Sequence, residues 1–412
     1  MSMLQAPGFP EHAVRRRARD GVAAVFPAPH EYGVTVFGAD PNVPWTGLDA
    51  LRLVTPVFMP RRLKKLIELG REPSYADVSL ESTIGGFDAP LPIFLSALGS
   101  TRAADAGFAL AGQAGQLGLP IVIGENVAPV NGFRSGGRHR ALLERIGAYA
   151  EAVPKAAGGV TVQQSTEDAD AEVWNHVYSD PMVLDLMESG RLAFELKVGQ
   201  GAKPGLGGMT LVDEDTSRRL EGQYTMQQLG PGGKALRCSS PGSFTAEILR
   251  QQIHLMRNNY PRARCWVKLP PGRDVAEAAA VAWPAGADAV TVDGAEGGTG
   301  WAPYTFLDHV GLPLHECLRR IGEAPGAVLA TGRMCDGVRV IKALALGARA
   351  VGLGRAALIA VDEDQEKGLI RFVESIALEM RFLISALGKY SVDELGPEDL
   401  WDPRGATLRG GR

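Results

Sequence analysis

The sequence predicts an α/β protein whose centre is a (β/α)8 TIM barrel, with an N-terminal wrapping segment and a long glycine-rich insertion after the fourth strand. Two observations carry that prediction. From Pro92 onward, eight short apolar runs alternate with longer helical stretches, the pattern of repeated βα units. Several of those runs are apolar almost throughout, as parallel strands buried on both faces must be.

Residues 1–85 precede the pattern. They are rich in proline, glycine and aromatic residues and show little periodicity, so they read as an extension packed on the barrel. Within them, Pro60-Arg61-Arg62-Leu63-Lys64-Lys65-Leu66 interleaves basic and apolar positions at helical spacing and opens a short helix. Residues 86–412 form the barrel unit with a C-terminal helix. The predicted strands are 92–96, 120–123, 159–163, 193–198, 264–269, 287–292, 327–331 and 349–353. A helix is expected at 243–257, with Ser243 as its N-cap and Glu247 in its first turn. Another is expected at 338–346, stopped by Gly347. Residues 199–240, rich in glycine, read as an irregular insertion; loops of that length in compact domains are usually functional or mobile.

Composition narrows the function. The 412 residues carry 43 basic and 47 acidic side chains, a formal charge of -4, which excludes a general nucleic-acid binder with its basic surplus. The run Arg15-Arg16-Arg17 is short and closely followed by Asp20, so it reads as a solvated face. The four cysteines, Cys238, Cys265, Cys317 and Cys335, lie far apart and match neither a zinc site nor a redox pair. No apolar signal core and no uninterrupted stretch of about 18 apolar residues is present. The chain reads as a cytoplasmic protein that does not enter a membrane.

Chemistry in barrels gathers where strands run into their following loops. The seventh strand ends in Thr331-Gly332-Arg333-Met334-Cys335-Asp336-Gly337 and the eighth in Gly352-Leu353-Gly354-Arg355. Glycine lets backbone N–H groups approach an anion, and a helix N-terminus favours negative charge. Together the two loops read as a phosphate cradle centred on Gly332, Arg333, Gly354 and Arg355. On these residues alone FMN, a sugar phosphate and a phosphoribosyl compound all fit.

Three further segments select among them. KVGQGAKPGLGG at 197–208 resembles the KVxQGAKPGxGG segment of the glutamate synthase family. DGAEGGTGWAP at 293–303 resembles that family's DGxxGGTGxxP loop, and SALGS at 96–100 is similar to its SAMSFGS turn. They occur in family order, with Gly124-Glu125, Lys268 and the phosphate loops in matching places, over roughly 75–400.

The resemblance implies FMN lying over the strand ends. Ser96, Ala97 and Leu98 would touch the flavin ring, Gly298 and Thr299 would belong to its pocket, and Gln163, or Gln164 in a shifted alignment, would sit at its polar edge. Lys268 would face the N1–C2=O side. Lys203 and Glu125 would handle a carboxylate-bearing small-molecule substrate, the lysine holding its carboxylate and the glutamate exchanging a proton. The implied activity is hydride transfer between flavin and an amino or imino acid.

Departures from the pattern qualify that activity. Complete glutamate synthases carry three close cysteines after the eighth strand that ligate an iron–sulfur cluster; here no cysteine follows Cys335. Electrons are therefore expected from a dissociable donor, a partner chain or the substrate. Met1-Ser2 offers no cysteine nucleophile, so no glutaminase activity is expected. Cys238-Ser239-Ser240-Pro241-Gly242-Ser243-Phe244, Lys268 before Leu269-Pro270-Pro271, and Glu125 before Asn126-Val127 each differ from many relatives and leave the substrate open. The ending 388–400 is similar to short relatives, including the flavin subunit of N-methylglutamate synthase. Two further readings stay open: a flavin subunit fed with ammonia or an amine by a partner, and a flavin-free barrel acting as a scaffold. Homo-oligomerisation is left open too.

Overall fold

The computed structural model describes residues 4–25, 47–98, 106–124, 139–166, 171–228, 234–239, 244–299 and 302–403. Eight parallel strands close into a barrel in chain order: β1 (Ile93–Leu98), β2 (Ile121–Ile123), β3 (Val160–Ser165), β4 (Leu192–Lys197), β5 (Arg264–Leu269), β6 (Ala289–Asp293), β7 (Ala327–Thr331) and β8 (Ala350–Leu353). All eight expected strands are present, with small shifts at their ends. One helix of each unit covers the outside: α2 (Gly107–Gln116), α3 (His139–Ala152), α4 (Ala171–Ser179), α5 (Ala246–Asn259), α6 (Val275–Ala282), α7 (Leu314–Ile321), α8 (Gly337–Ala345) and α9 (Arg355–Glu363). Among the described residues no helix is long and apolar enough to cross a membrane.

The N-terminal mouth of the barrel is plugged. Strands Ser82–Ile84 and Phe87–Ala89 form a hairpin that inserts Ile84 and Phe87 beneath the inward residues Phe94, Val122, Ala193, Trp266, Leu329 and Ala350. Gly85 and Gly86 turn the hairpin at φ 54° and 96°, and a Cβ on Gly85 would stand 2.6 Å from the Trp266 indole. Trp266 Nε1 donates to Gly85 O at 3.0 Å, so the largest interior side chain is satisfied as well as buried. Chemistry is thereby left to the opposite mouth.

Outside the barrel, α1 (Glu11–Asp20) lies against α9 and the long C-terminal helix α10 (Gly368–Ala386). Contrary to the solvated face expected of this run, Arg15 is buried and joins α1 to α9, donating to Glu11, Asp362, Glu363 and the Leu4 carbonyl. The short helix expected from residue 60 runs over Pro60–Leu69 and stops at left-handed Gly70.

Two further expectations need correction. The insertion after β4 is ordered over much of its length: strands Met209–Asp213, Thr225–Gln228 and Lys234–Cys238 form a small antiparallel sheet with Lys234–Cys238 in the middle. Its strands are short and flanked by glycine, which hid their alternation. Helix α5 begins later than expected, because Thr245, not Ser243, is the N-cap; its hydroxyl accepts from Ile248 N at 3.2 Å. Ser243 itself lies outside the described residues.

Candidate active site at the C-terminal mouth

Side chains alternate along a strand, so the inward parity fixed by Trp266, Ala193 and Ala289 also points Lys268, Glu195, Lys197, Thr291 and Asp293 into the barrel. The same parity decides between the two glutamines of β3. Gln163 aligns with Glu195 and faces the interior, whereas Gln164 shares the parity of Val160 and Val162, which pack under the helices. Gln163 is 1% exposed, and its Nε2 donates to Glu195 Oε2. Glu195 Oε1 accepts from Thr291 Oγ1 at 2.7 Å. A polar chain thus crosses the barrel directly below its mouth.

One pleat higher, Lys268 Nζ stands 3.4 Å from Asp293 Oδ2, and both side chains are about nine-tenths buried. Asp293 is a junction. Its Oδ1 accepts from Thr331 Oγ1 at 2.7 Å and its Oδ2 from Gly201 N at 2.9 Å. The second bond draws the glycine-rich loop after β4 onto the loop after β6. Contact there is so close that a Cβ on Gly201 would fall 2.0 Å from Gly294 O. Side chains extend the same seam: Lys197 Nζ donates to Gln200 Oε1 at 3.0 Å, and Gln200 Nε2 to Thr299 Oγ1 at 2.7 Å. Lys203 lies in this loop and is 9% exposed, so its loop holds it in the protein surface instead of extending it into solvent.

Sequence pattern places two helix N-termini at the phosphate loops, but only one is suited to an external anion. At α8 the protein supplies its own carboxylates: Asp336 Oδ1 accepts from Arg339 N at 2.8 Å, and Glu379 Oε2, from α10, accepts from Gly337 N at 2.7 Å. Arg17 of α1 backs Glu379 with an ion pair. At α9 the N-cap is Gly354, which has no side chain to cap with, and the first-turn N–H groups have no intrahelical acceptors. The anion-favouring terminus is therefore α9.

Its surroundings are equally specific. Gly352 packs so tightly on Ser96 that a Cβ there would meet Ser96 Oγ at 2.2 Å. That hydroxyl is buried without a hydrogen-bond partner among the described residues. Arg355 donates to Glu296 O and stacks over the Phe9 ring, 4.7 Å from its centroid. Burial pushes the Arg355 pKa down from its ordinary value, although a guanidinium stays charged. Arg333 has the left-handed φ of 52° and lies 3.7 Å from Asp49.

The structure thus brings Ser96, Ala97, Leu98, Gln163, Lys203, Lys268, Gly298, Thr299, Gly332, Arg333, Gly354 and Arg355 to one end of the barrel. Glu125 lies outside the described residues, as do Gly99, Ser100, Gly300 and Trp301. Sequence reasoning gave no role to Asp293, Glu195 or Glu379. The first two were within reach: Glu195 shares its strand parity with Lys197, and Asp293 opens the DGAEGGTGWAP segment already singled out. Glu379 was not, because nothing local announces a cap supplied from a distant helix.

No cluster of three or more His, Cys, Asp or Glu side chains able to hold a metal occurs among the described residues. Burial pushes the thiols of Cys265 and Cys317 up to about 12, and that of Cys335 further, so they are protonated and poor nucleophiles at neutral pH.

Comparison with known proteins places this geometry in context. Residues 185–367 match the family described as the conserved region in glutamate synthase. The chain is 32% identical over 188 residues to an archaeal-type glutamate synthase [NADPH] of Dehalococcoides mccartyi, covering 43% of this chain and 36% of that protein. It is 36% identical over 189 residues to the protein so named from Thermotoga sp., with the same coverage. A glutamate synthase large subunit-like protein of Rhizobium meliloti is 35% identical over 182 residues, 42% of this chain and 40% of that protein. The matches therefore span little more than a third of these relatives. Among solved structures, a soluble mutant of (S)-mandelate dehydrogenase from Pseudomonas putida superposes with a TM-score of 0.56 at 19% identity, covering 96% of this chain and 99% of that one. Lactate oxidase from Pediococcus acidilactici gives 0.57 at 15% identity, covering 97% and 96%. These two show a common fold.

Proposed function

We propose, from the premise that the chain belongs through residues 185–367 to the glutamate synthase family, that it is an FMN-dependent oxidoreductase moving a hydride between flavin and the carbon of an amino or imino acid. One observation carries the reading: an uncapped helix N-terminus, an orphaned buried hydroxyl and a fixed inward cation meet at a single barrel mouth.

The residues fit the cofactor's chemistry. The N–H groups at the start of α9, with Gly354 and Arg355, would hold its phosphate. Glycines 332 and 298 and Thr299 would line its binding cleft. Ser96 Oγ, which no described group satisfies, would gain a partner from it, beside Ala97 and Leu98. FMN, when bound, supplies the centre that accepts or donates the hydride.

Lys268 would place positive charge where the reduced ring is negative; Asp293 keeps that ammonium inside the barrel. Lys203 would pair with a substrate carboxylate. Its loop is docked through Gly201 and Gln200, so the lysine is positioned before substrate arrives. Glu125 would exchange the proton at the reacting carbon. Since no cysteine follows Cys335 in this sequence, reducing equivalents would come from a dissociable donor, a partner chain or the substrate. Residues 1–85 would act as an extension that braces the cofactor loops of the 86–412 unit, through Phe9 under Arg355 and Arg17 behind Glu379.

The visible spectrum of the purified chain tests this reading, with identification of any flavin released on denaturation and anaerobic addition of NADH, NADPH and amino acids. Released FMN that bleaches with one of these reductants is the expected result. A folded chain that takes up no flavin after reconstitution would overturn it and favour a binding or scaffold barrel.

A further inference from the structure

Four of the five most exposed large hydrophobic side chains among the described residues lie in one short stretch: Val57 is 91% exposed, Phe58 86%, Leu63 59% and Ile67 72%. The last two project from the helix Pro60–Leu69, whose half-buried residues Arg62, Lys65, Leu66 and Leu69 turn toward the protein. Leu63 and Ile67, four residues apart, form an apolar ridge on the opposite side. Contiguous apolar surface of this kind marks an interaction face. The face sits at the plugged end of the barrel. Arg61 pairs with Glu394 at 3.2 Å, and the adjacent Asp393 pairs with Arg349, which also donates to Thr83 O in the hairpin.

Charge decides what covers it. Arg62 faces Glu72 at 3.6 Å, Lys65 meets Glu68 at 3.0 Å, and Arg71 pairs with Asp77. With the Arg61–Glu394 pair these balance, so the face offers little to an anionic bilayer. Lys64 is exposed and has no ion-pair partner among the described residues. Glu68 follows it by one helical turn on the same flank of the ridge, its side chain 62% exposed. A two-fold axis perpendicular to the helix reverses the chain direction and sets each flank against its own copy. Centred at Leu66, it places Lys64 opposite the partner's Glu68 twice over, with the two apolar ridges meeting between these pairs.

We infer that this helix is the centre of a face on which a second copy of the chain docks, antiparallel and through identical surfaces. The inference does not depend on the flavin reading. Docking at the plugged end leaves the C-terminal mouth of each copy open.

Sedimentation velocity of the full-length chain over a range of concentrations reads the association, and a dimer is expected. Leu63→Asp and Ile67→Asp should each weaken it at least ~10-fold, because a carboxylate would be buried on the ridge. Thermal unfolding of the monomer should stay unchanged, since both side chains are exposed in the single chain. Lys64→Glu and Glu68→Lys should each weaken the dimer about 10-fold, as two attractive pairs become repulsive. The combined variant Lys64→Glu/Glu68→Lys should restore it. A monomer at every concentration would overturn the inference, as would a dimer that Leu63→Asp and Ile67→Asp leave intact. Weakening in both charge variants without recovery in the combined one would overturn the antiparallel arrangement. A monomer that instead co-sediments with phosphatidylserine vesicles would overturn the inference in favour of a bilayer.

Discussion

Replacing Gly354 by Asp puts the assignment of the anion site to α9 under direct stress. Gly354 has φ -107° and ψ -97°, away from the extended geometry of a usual N-cap, and a Cβ there would have only the Ser96 Cβ at 3.9 Å as a neighbour. A side chain therefore has room there, and aspartate adds a carboxylate at the N-terminus of a helix that has no side-chain cap. The phosphate meets a like charge: at ~4 Å and an effective dielectric of ~20, each unit of charge costs about 4 kcal/mol, nearly three orders of magnitude in affinity. Screening reduces this, so a loss of at least ~100-fold in FMN affinity is expected near physiological salt. Titration of the apoprotein with FMN and with riboflavin, which lacks the phosphate, isolates the term. Riboflavin affinity should be unchanged in Gly354→Asp, and Gly354→Ala should bind both flavins within a few-fold of the unmodified protein. FMN binding that survives Gly354→Asp would refute the assignment.

Other perturbations probe the neighbouring elements. Glu379→Ala removes one of the two carboxylates at the α8 N-terminus and leaves Arg17, 16% exposed at its side chain, without its carboxylate; a loss of ~3–5 kcal/mol is expected in thermal unfolding, with FMN uptake retained. Gly201→Ala forces a methyl group onto Gly294 O and should cost ~1–3 kcal/mol or more, release the 199–208 loop to limited proteolysis and raise KM before kcat. Lys268→Met should lower the flavin midpoint potential by tens of millivolts in dye-equilibration titrations; ~4 kcal/mol, or about 90 mV, is the ceiling for a bare cation at ~4 Å, and Asp293 reduces it. Burial raises the Glu296 carboxyl above its ordinary value, so its ionisation weakens the fold as pH rises from that ordinary value through the raised one. Glu296→Gln, which keeps an acceptor for Leu314 N, should therefore gain Tm relative to the unmodified chain at neutral pH and lose that advantage at acidic pH.

The barrel was legible because its signal is local. Runs such as Ala289–Asp293 are short, apolar and separated by helical periods, so strand positions follow from the chain itself. Loop glycines were legible for the same reason, since close approach of backbone to backbone at Gly201 tolerates no side chain. Polarity across the barrel was not. Glu195 lies in a strand that is otherwise apolar up to Lys197, and only closure of the sheet brings it to Gln163 and Thr291. The second acceptor at α8 was hidden more deeply, because Glu379 reaches Gly337 through tertiary packing of α10. The antiparallel sheet of the insertion fell between these cases: its strands are local, but glycine at their flanks imitates a loop.

Asp293 shows why the lysine at the mouth cannot be weighed alone. A buried ammonium without a partner would deprotonate or draw in water, since desolvation works against the charged form. With Asp293 at 3.4 Å the charge can persist inside the barrel, but its field at a ligand is that of a pair and falls off faster. The same carboxylate accepts from Gly201 N and Thr331 Oγ1, so the group that keeps Lys268 charged also docks the loop carrying Lys203. Removing Asp293 would therefore disturb the cation and the substrate loop together, whereas Lys268→Met and Gly201→Ala disturb them separately. If the two functions are coupled only through Asp293, the effects of those two substitutions on midpoint potential and KM should add in the double variant. A coupling well outside measurement error would place a second connection between the loop and the strand end.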